Sequence, residues 1–132
     1  MTVAKQRAAP LAAGDRKLAA NRKAMAKPIA EIVDALQQCL GQELTAVIAG
    51  VRDVKQVGRW ARGEHRPQPK AETALRDAYQ IVQVLLAHEE EETVRAWMRG
   101  MNHLLDNRAP ALVIRDAPHE VAAAADALIE HS

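Results

Sequence analysis

Apolar side chains recur along this sequence at the spacing of a helix, in segments that glycine and proline interrupt. After Pro28, Ile, Val and Leu follow one another every three or four residues as far as Leu40, and Gly41 ends the pattern. Of the 132 residues, 27 are alanine and only three are aromatic. Alanine is the strongest helix former and adds little core volume. The sequence therefore predicts an all-α fold of closely packed helices.

Glycine, proline and capping residues bound the predicted helices. Pro28 suits a first helical position, and Asp53 is placed to cap a short basic helix, with Gln56 three residues later completing a capping box. A run of four glutamates suits the first turn of a helix, where the helix dipole favours carboxylates. The expected elements are helices over 28–40, 42–49, 53–62 and 70–88, a helix opening at 89–92, a short apolar element after Pro110, and a helix over 118–130.

Positive charge is concentrated in two blocks, although the net charge is only +1. Residues 1–27 hold seven Lys and Arg against one acid, and residues 52–70 hold six against two. This distribution indicates a polyanionic partner. Residues 1–27 carry few bulky apolar groups, so they are predicted to form a mobile basic arm or a frayed helix. The arm could follow DNA, or it could be a solubilising extension, with Met25 as an alternative start.

The third predicted helix carries a basic stripe. Lys55, Arg59 and Arg62 share one face, while Val57 and Trp60 face the other way. In a helix-turn-helix protein the second helix enters the major groove, where Arg and Lys match guanine and Gln matches adenine. A solvated surface helix is the alternative. The predicted DNA contacts are Arg52, Lys55, Gln56, Arg59, Arg62, Arg66 and Lys70.

This order of a short helix, a turn and a basic helix closed by "RW..G...P" resembles the Xre class of helix-turn-helix proteins. The turn "AGVRD" is one residue longer than the commonest version. The C-terminal half resembles the toxin-binding domain of Xre/MbcA/ParS-type antitoxins. The matching features are a Trp, an Asn before a Leu, a Pro and then an apolar pair. Met101 stands where a proline is usual, and the chain continues only briefly past its last predicted helix.

The resemblance implies an antitoxin of a type II toxin–antitoxin system. Such antitoxins bind RES-domain toxins, which consume NAD, and cover the toxin's active-site opening. The implied architecture is an Xre-like helix-turn-helix bundle over 28–88 joined to a small helical toxin-binding domain over 89–132. A homodimer within a toxin–antitoxin hetero-oligomer that represses its own operon is expected. The residues assigned to toxin binding, some shaping the unit and others contacting the toxin, are Trp97, Asn102, Leu105, Arg108, Pro110, Arg115 and His119.

The sequence gives no indication of catalysis. The five histidines are scattered, and Cys39, the only cysteine, lies in the apolar pattern of the first helix, so no metal site is expected. Neither a phosphate-binding loop nor a dinucleotide fingerprint occurs. We therefore expect no enzyme activity and no cofactor. A single cysteine and the lack of an apolar run long enough for a bilayer predict a cytoplasmic protein without a membrane partner.

Two other interpretations stay open at this point. The chain could be a stand-alone transcriptional regulator whose C-terminal half dimerises or senses a signal. Alternatively, it could bind a toxin while its helix-turn-helix no longer binds DNA. Gly58 favours the second interpretation slightly, because glycine inside a helix costs about 1 kcal/mol relative to alanine.

Overall fold

The helices of this chain follow the bounds that its glycines and prolines set. The structure, a computed structural model, describes residues 27–131, so the predictions made for the N-terminal arm lie outside the described residues. Within 27–131 every regular element is helical, and the all-α prediction is confirmed. The elements are α1 (Ile29–Leu40), α2 (Gln42–Ala49), α3 (Lys55–Ala61), α4 (Pro69–Leu86), α5 (Glu91–Arg99), a 3-10 helix (His103–Leu105), α6 (Pro110–Val113) and α7 (Pro118–Glu130).

The turn between α2 and α3 is fixed by local interactions of Gly50 at one end and Asp53 at the other. Gly50 takes φ 79° and ψ 26°, the left-handed conformation that closes a helix, and its N–H donates to Ala46 O at 2.9 Å. At the other end, Asp53 Oδ1 accepts a hydrogen bond from the Lys55 N–H at 3.0 Å. Asp53 therefore binds a first-turn N–H of α3, although the N-cap position itself is Val54. In residues 27–131 no hydrogen bond joins the Gln56 side chain to Asp53, so the predicted capping box is not formed.

Helices α1 and α4 form the centre of the fold. Helix α1 packs against α2, α3, α4 and α5, and α4 packs against α2, α5 and α7. Each helix turns one apolar face inward, because its large side chains recur every three or four residues. Leu36 of α1 and Leu75 of α4 are completely buried in the resulting core.

One hydrophobic core extends across residue 88, where the functional division was predicted. Met98 of α5 and Ile114 after α6 are completely buried in the same cluster as the side chains of α1 to α4. The C-terminal helices reach this cluster by direct packing of α5 on α1, α6 on α2 and α7 on α4. Burial of apolar surface is the main stabilising term in folding, so the two predicted segments stabilise each other.

Candidate nucleic-acid interface

The helix-turn-helix unit α2–α3 is anchored through one face of α3. Val57 is fully buried and Trp60 is 4% exposed, which confirms the predicted buried tryptophan. Gly58 is also buried, where α3 approaches the start of α2. A Cβ at Gly58 would lie 3.1 Å from Arg62 Nη1 and 3.4 Å from Gln42 Nε2. The side chains of Arg62 and Gln42 therefore lie close to Gly58 and leave little room there for a larger residue.

The other face of α3 is cationic. Lys55 and Arg62 are exposed and Arg59 is half-buried, so the predicted basic stripe of Lys55, Arg59 and Arg62 has access to solvent. Arg62 forms an ion pair with Glu64 just beyond the helix, with 2.7 Å between Arg62 Nε and Glu64 Oε2. The hydrogen bond from Arg62 lowers the pKa of Glu64, so this carboxylate stays charged and offsets part of the stripe.

A concave surface of about 540 Å³, here called the basic groove, flanks α3 on the side of Trp60. Its polar lining combines Gln56 of α3 with side chains from the following loop, the start of α4 and the segment after α6. Within residues 27–131, none of the side chains that line it is an Asp or Glu. Its ionisable lining residues are His65, Arg66, Lys70 and Arg115.

Arg66 is held in place by a carboxylate at the edge of the basic groove. Its guanidinium makes two parallel hydrogen bonds to Glu72, both at 3.0 Å. Arg76 also donates to Glu72, at 3.1 Å, so one acid is shared by two arginines. Arg66 nevertheless remains 71% exposed at its side chain. The cluster therefore orients Arg66 and keeps a net positive charge beside α4.

The seven predicted DNA contacts thus lie around one short helix. Three form the basic stripe, three line the basic groove, and Arg52 is exposed in the turn that precedes α3. Arg and Lys side chains donate hydrogen bonds to base edges and to phosphates, so the exposed face of α3 and the cations beside it have the chemistry of a candidate DNA contact.

The residues assigned to toxin binding divide into two groups. Leu105 is 2% exposed and Pro110 is buried at the start of α6, so both shape the fold. Asn102 caps the 3-10 helix, since its Oδ1 accepts from the Leu104 N–H at 2.9 Å. Its own N–H donates to Arg108 O at 3.3 Å and closes the loop. The side chains of Arg108 and His119 are exposed.

An apolar groove of about 530 Å³ lies between the end of α5, the 3-10 helix and α7. Trp97 is half-buried there, and two large apolar side chains are open to solvent: Met101, 83% exposed, and Leu104, 53% exposed. Leu128 and His131 of the last helical segment complete it. The sequence did not predict that Met101 and Leu104 are exposed, because no local pattern distinguishes these two apolar residues from apolar residues that are buried. Their exposure follows from the path of the chain after Gly100.

Arg115 lies away from the apolar groove. The resemblance implies that Arg115 contacts the toxin, within a unit that Trp97 and Asn102 shape. In the structure Arg115 lies beside the α2–α3 turn, in the basic groove. Trp97 and Asn102 line the apolar groove. The toxin contact of Arg115 stays a prediction, but its position places it with the DNA candidates.

Cys39 is 3% exposed, and burial raises the pKa of its thiol, which fits the predicted core role. In the part of the chain that the structure describes, no three His, Cys, Asp or Glu side chains are grouped so that they could hold a metal ion. Among helices α1 to α7 none has both the length and the apolar character for a bilayer crossing.

Comparison of the chain with protein-family models, curated proteins and solved structures gives no match.

Proposed function

We propose that this protein is a cytoplasmic antitoxin that represses its own operon through α3 and binds a RES-domain, NAD-degrading toxin through its C-terminal half. The observation that carries the proposal is the arrangement of α3. One face of this helix is locked into the core through Val57 and Trp60, and the opposite face and its flank present the predicted DNA contacts to solvent.

The DNA part of the proposal follows from charge and rigidity. A recognition helix must be held firmly, because base contacts depend on side chains placed to a fraction of an ångström. Packing of α3 on α1 and α2 gives that support. Lys55 and Arg59 then face the base edges, and the cations of the basic groove face the backbone, where phosphate contacts set orientation and base contacts set sequence.

The toxin part of the proposal is supported by the apolar groove. Contiguous apolar patches larger than a few hundred Å² are uncommon on monomeric proteins, and a large patch with a polar rim is typical of a protein interface. Met101, Leu104 and Trp97 offer flexible and aromatic contact area of the kind found at interface centres. The groove is formed by the segment that resembles the toxin-binding domain, which is why we assign the toxin to it.

The DNA part is tested with the duplex upstream of this chain's own gene. Changing Arg59→Ala and Arg62→Ala together should weaken binding about 10-fold or more, since a base-contacting arginine such as Arg59 contributes about 1–3 kcal/mol of discrimination and Arg62 adds positive charge to the same stripe. A double variant of Arg99→Ala and Arg108→Ala loses the same charge at exposed positions outside the basic stripe and the basic groove. It should bind the duplex with the affinity of the parent. If the first pair binds with unchanged affinity, α3 is not the recognition helix.

The toxin part is tested by a pull-down of tagged full-length protein from its native host, with bound proteins identified by mass spectrometry. Recovery of a RES-domain protein supports the antitoxin proposal, and a variant with Met101→Asp and Leu104→Asp should lose that partner. Leu112→Asp is the matched control, because Leu112 is 61% exposed and lies outside the apolar groove. Recovery of DNA alone would favour the stand-alone regulator, whose C-terminal half only dimerises.

A further inference from the structure

Arg115 reaches the helix-turn-helix from the C-terminal half of the chain. It follows α6, which packs on α2, and its guanidinium lies on the side of Gly50 where a Cβ would stand, in the α2–α3 turn. A Cβ built on Gly50 would be 1.2 Å from Arg115 Nη1 and 2.4 Å from Cζ. The guanidinium therefore occupies the space that any other residue at position 50 would fill.

Arg115 differs from two other arginines near α3, which are paired with carboxylates. Arg62 is paired with Glu64, and Arg66 with Glu72. In residues 27–131 the side chain of Arg115 is exposed and forms neither an ion pair nor a hydrogen bond with a carboxylate. It shares the basic groove with Lys70, which is also exposed and without an acidic partner in that range. Two unneutralised cations thus face one concave surface.

A phosphate group satisfies these features together. Arginine binds phosphate through parallel N–H donors, and a cleft lined by cations raises the local concentration of an anion. Gln56 and His65 add polar side chains to the same lining. The planar guanidinium presents its donors in a fixed arrangement, so less entropy is lost for each hydrogen bond that it forms.

We infer that Arg115 is a DNA-contacting residue of the helix-turn-helix, binding a backbone phosphate in the basic groove together with Lys70. The inference rests on the proposed DNA binding. It also means that the DNA surface is incomplete without the C-terminal half, because the cation that lies against Gly50 follows α6.

The experiment compares three variants of the full-length protein: Arg115→Gln, Arg115→Lys and, as a control, Arg99→Gln, which removes an exposed arginine outside the basic groove. Binding to the duplex upstream of the gene and to an unrelated duplex is measured between about 50 and 200 mM salt. Arg115→Gln should weaken binding to both duplexes by a similar factor and lower the slope of log affinity against log salt by about 0.9. Arg115→Lys should keep the slope, and Arg99→Gln should match the parent.

The outcomes separate this inference from the proposed function. If the parent binds DNA and Arg115→Gln keeps the parent's slope and affinity, the inference is wrong and DNA binding stands. If the parent binds neither duplex, both are wrong. Inorganic phosphate at matched ionic strength is the second probe, read by the side-chain NMR signal of Arg115. A response to phosphate without any response to DNA would assign the groove to a free phosphate group and overturn the nucleic-acid contact.

Discussion

Truncation of Met98 to alanine tests whether the two predicted segments share one core. Met98 lies on α5 in the C-terminal half and is completely buried. Replacing a buried methionine by alanine costs about 2–5 kcal/mol, because transfer free energy is lost and a cavity is left. For a loss of about 3 kcal/mol and a urea slope of about 1.5 kcal/mol per M, the midpoint of unfolding falls by about 2 M.

The chain has two tryptophans, one on each side of residue 88. In a Trp97→Phe background Trp60 reports on the helix-turn-helix, and in a Trp60→Phe background Trp97 reports on the C-terminal half. The effect of Met98→Ala is measured within each background by tryptophan fluorescence in urea. A shared core requires that both reporters show one transition and the same shift in midpoint.

Met101→Ala is the matched control, since the same atoms are removed from a side chain that is 83% exposed and the change should stay within about 0.5 kcal/mol. The reasoning is refuted if Met98→Ala lowers only the transition reported by Trp97 and leaves that of Trp60 unchanged. That result would mean that the segments unfold as separate units despite their contact.

Three further predictions concern single residues. Gly50→Ala should lower the free energy of unfolding by about 1–2 kcal/mol in urea titrations, because φ is 79° there; an unchanged midpoint would contradict the left-handed turn. Glu64→Gln should free Arg62 to contact a phosphate and so increase the steepness of log DNA affinity against log salt by about 1. An unaltered slope would show that Arg62 makes no such contact. Burial raises the pKa of Asp77, so ionisation of this carboxyl destabilises the fold at a pH above the ordinary pKa of an aspartate and has no such effect below it. Asp77→Asn should therefore raise the melting temperature at neutral pH, and this increase should disappear in acid. Equal melting curves at neutral pH would contradict the assigned burial.

Most of the fold was predictable because the residues that begin and end its helices act locally. The last helix occupies Pro118–Glu130 as expected, and α4 begins one residue before its predicted start. Proline at a first turn and left-handed glycine at an end act within a few residues. The loop after α5 was less predictable. Asp106 and Asn107 both adopt positive φ, 57° and 62°, and the loop closes between Asn102 and Arg108.

The candidate site was predictable only where it depends on one helix. The basic stripe follows from the spacing of Lys55, Arg59 and Arg62, and their shared face requires no knowledge of tertiary structure. The basic groove depends on which loops meet, and Arg115 reaches Gly50 through the packing of α6 on α2. Contacts of this kind are set by the whole core, so no local pattern in the sequence carries them.

The continuous core also decides how the function must be studied. Ile81 of α4 is 5% exposed and lines one small crevice with Ala125 of α7, which is 2% exposed. A fragment that ended near residue 88 would expose this face of α4 and the side of α1 that α5 covers. It would also lack Arg115, and with it a cation of the basic groove. Weak DNA binding by such a fragment would therefore reflect an opened core and an incomplete surface together, and only substitutions in the full chain distinguish the two causes.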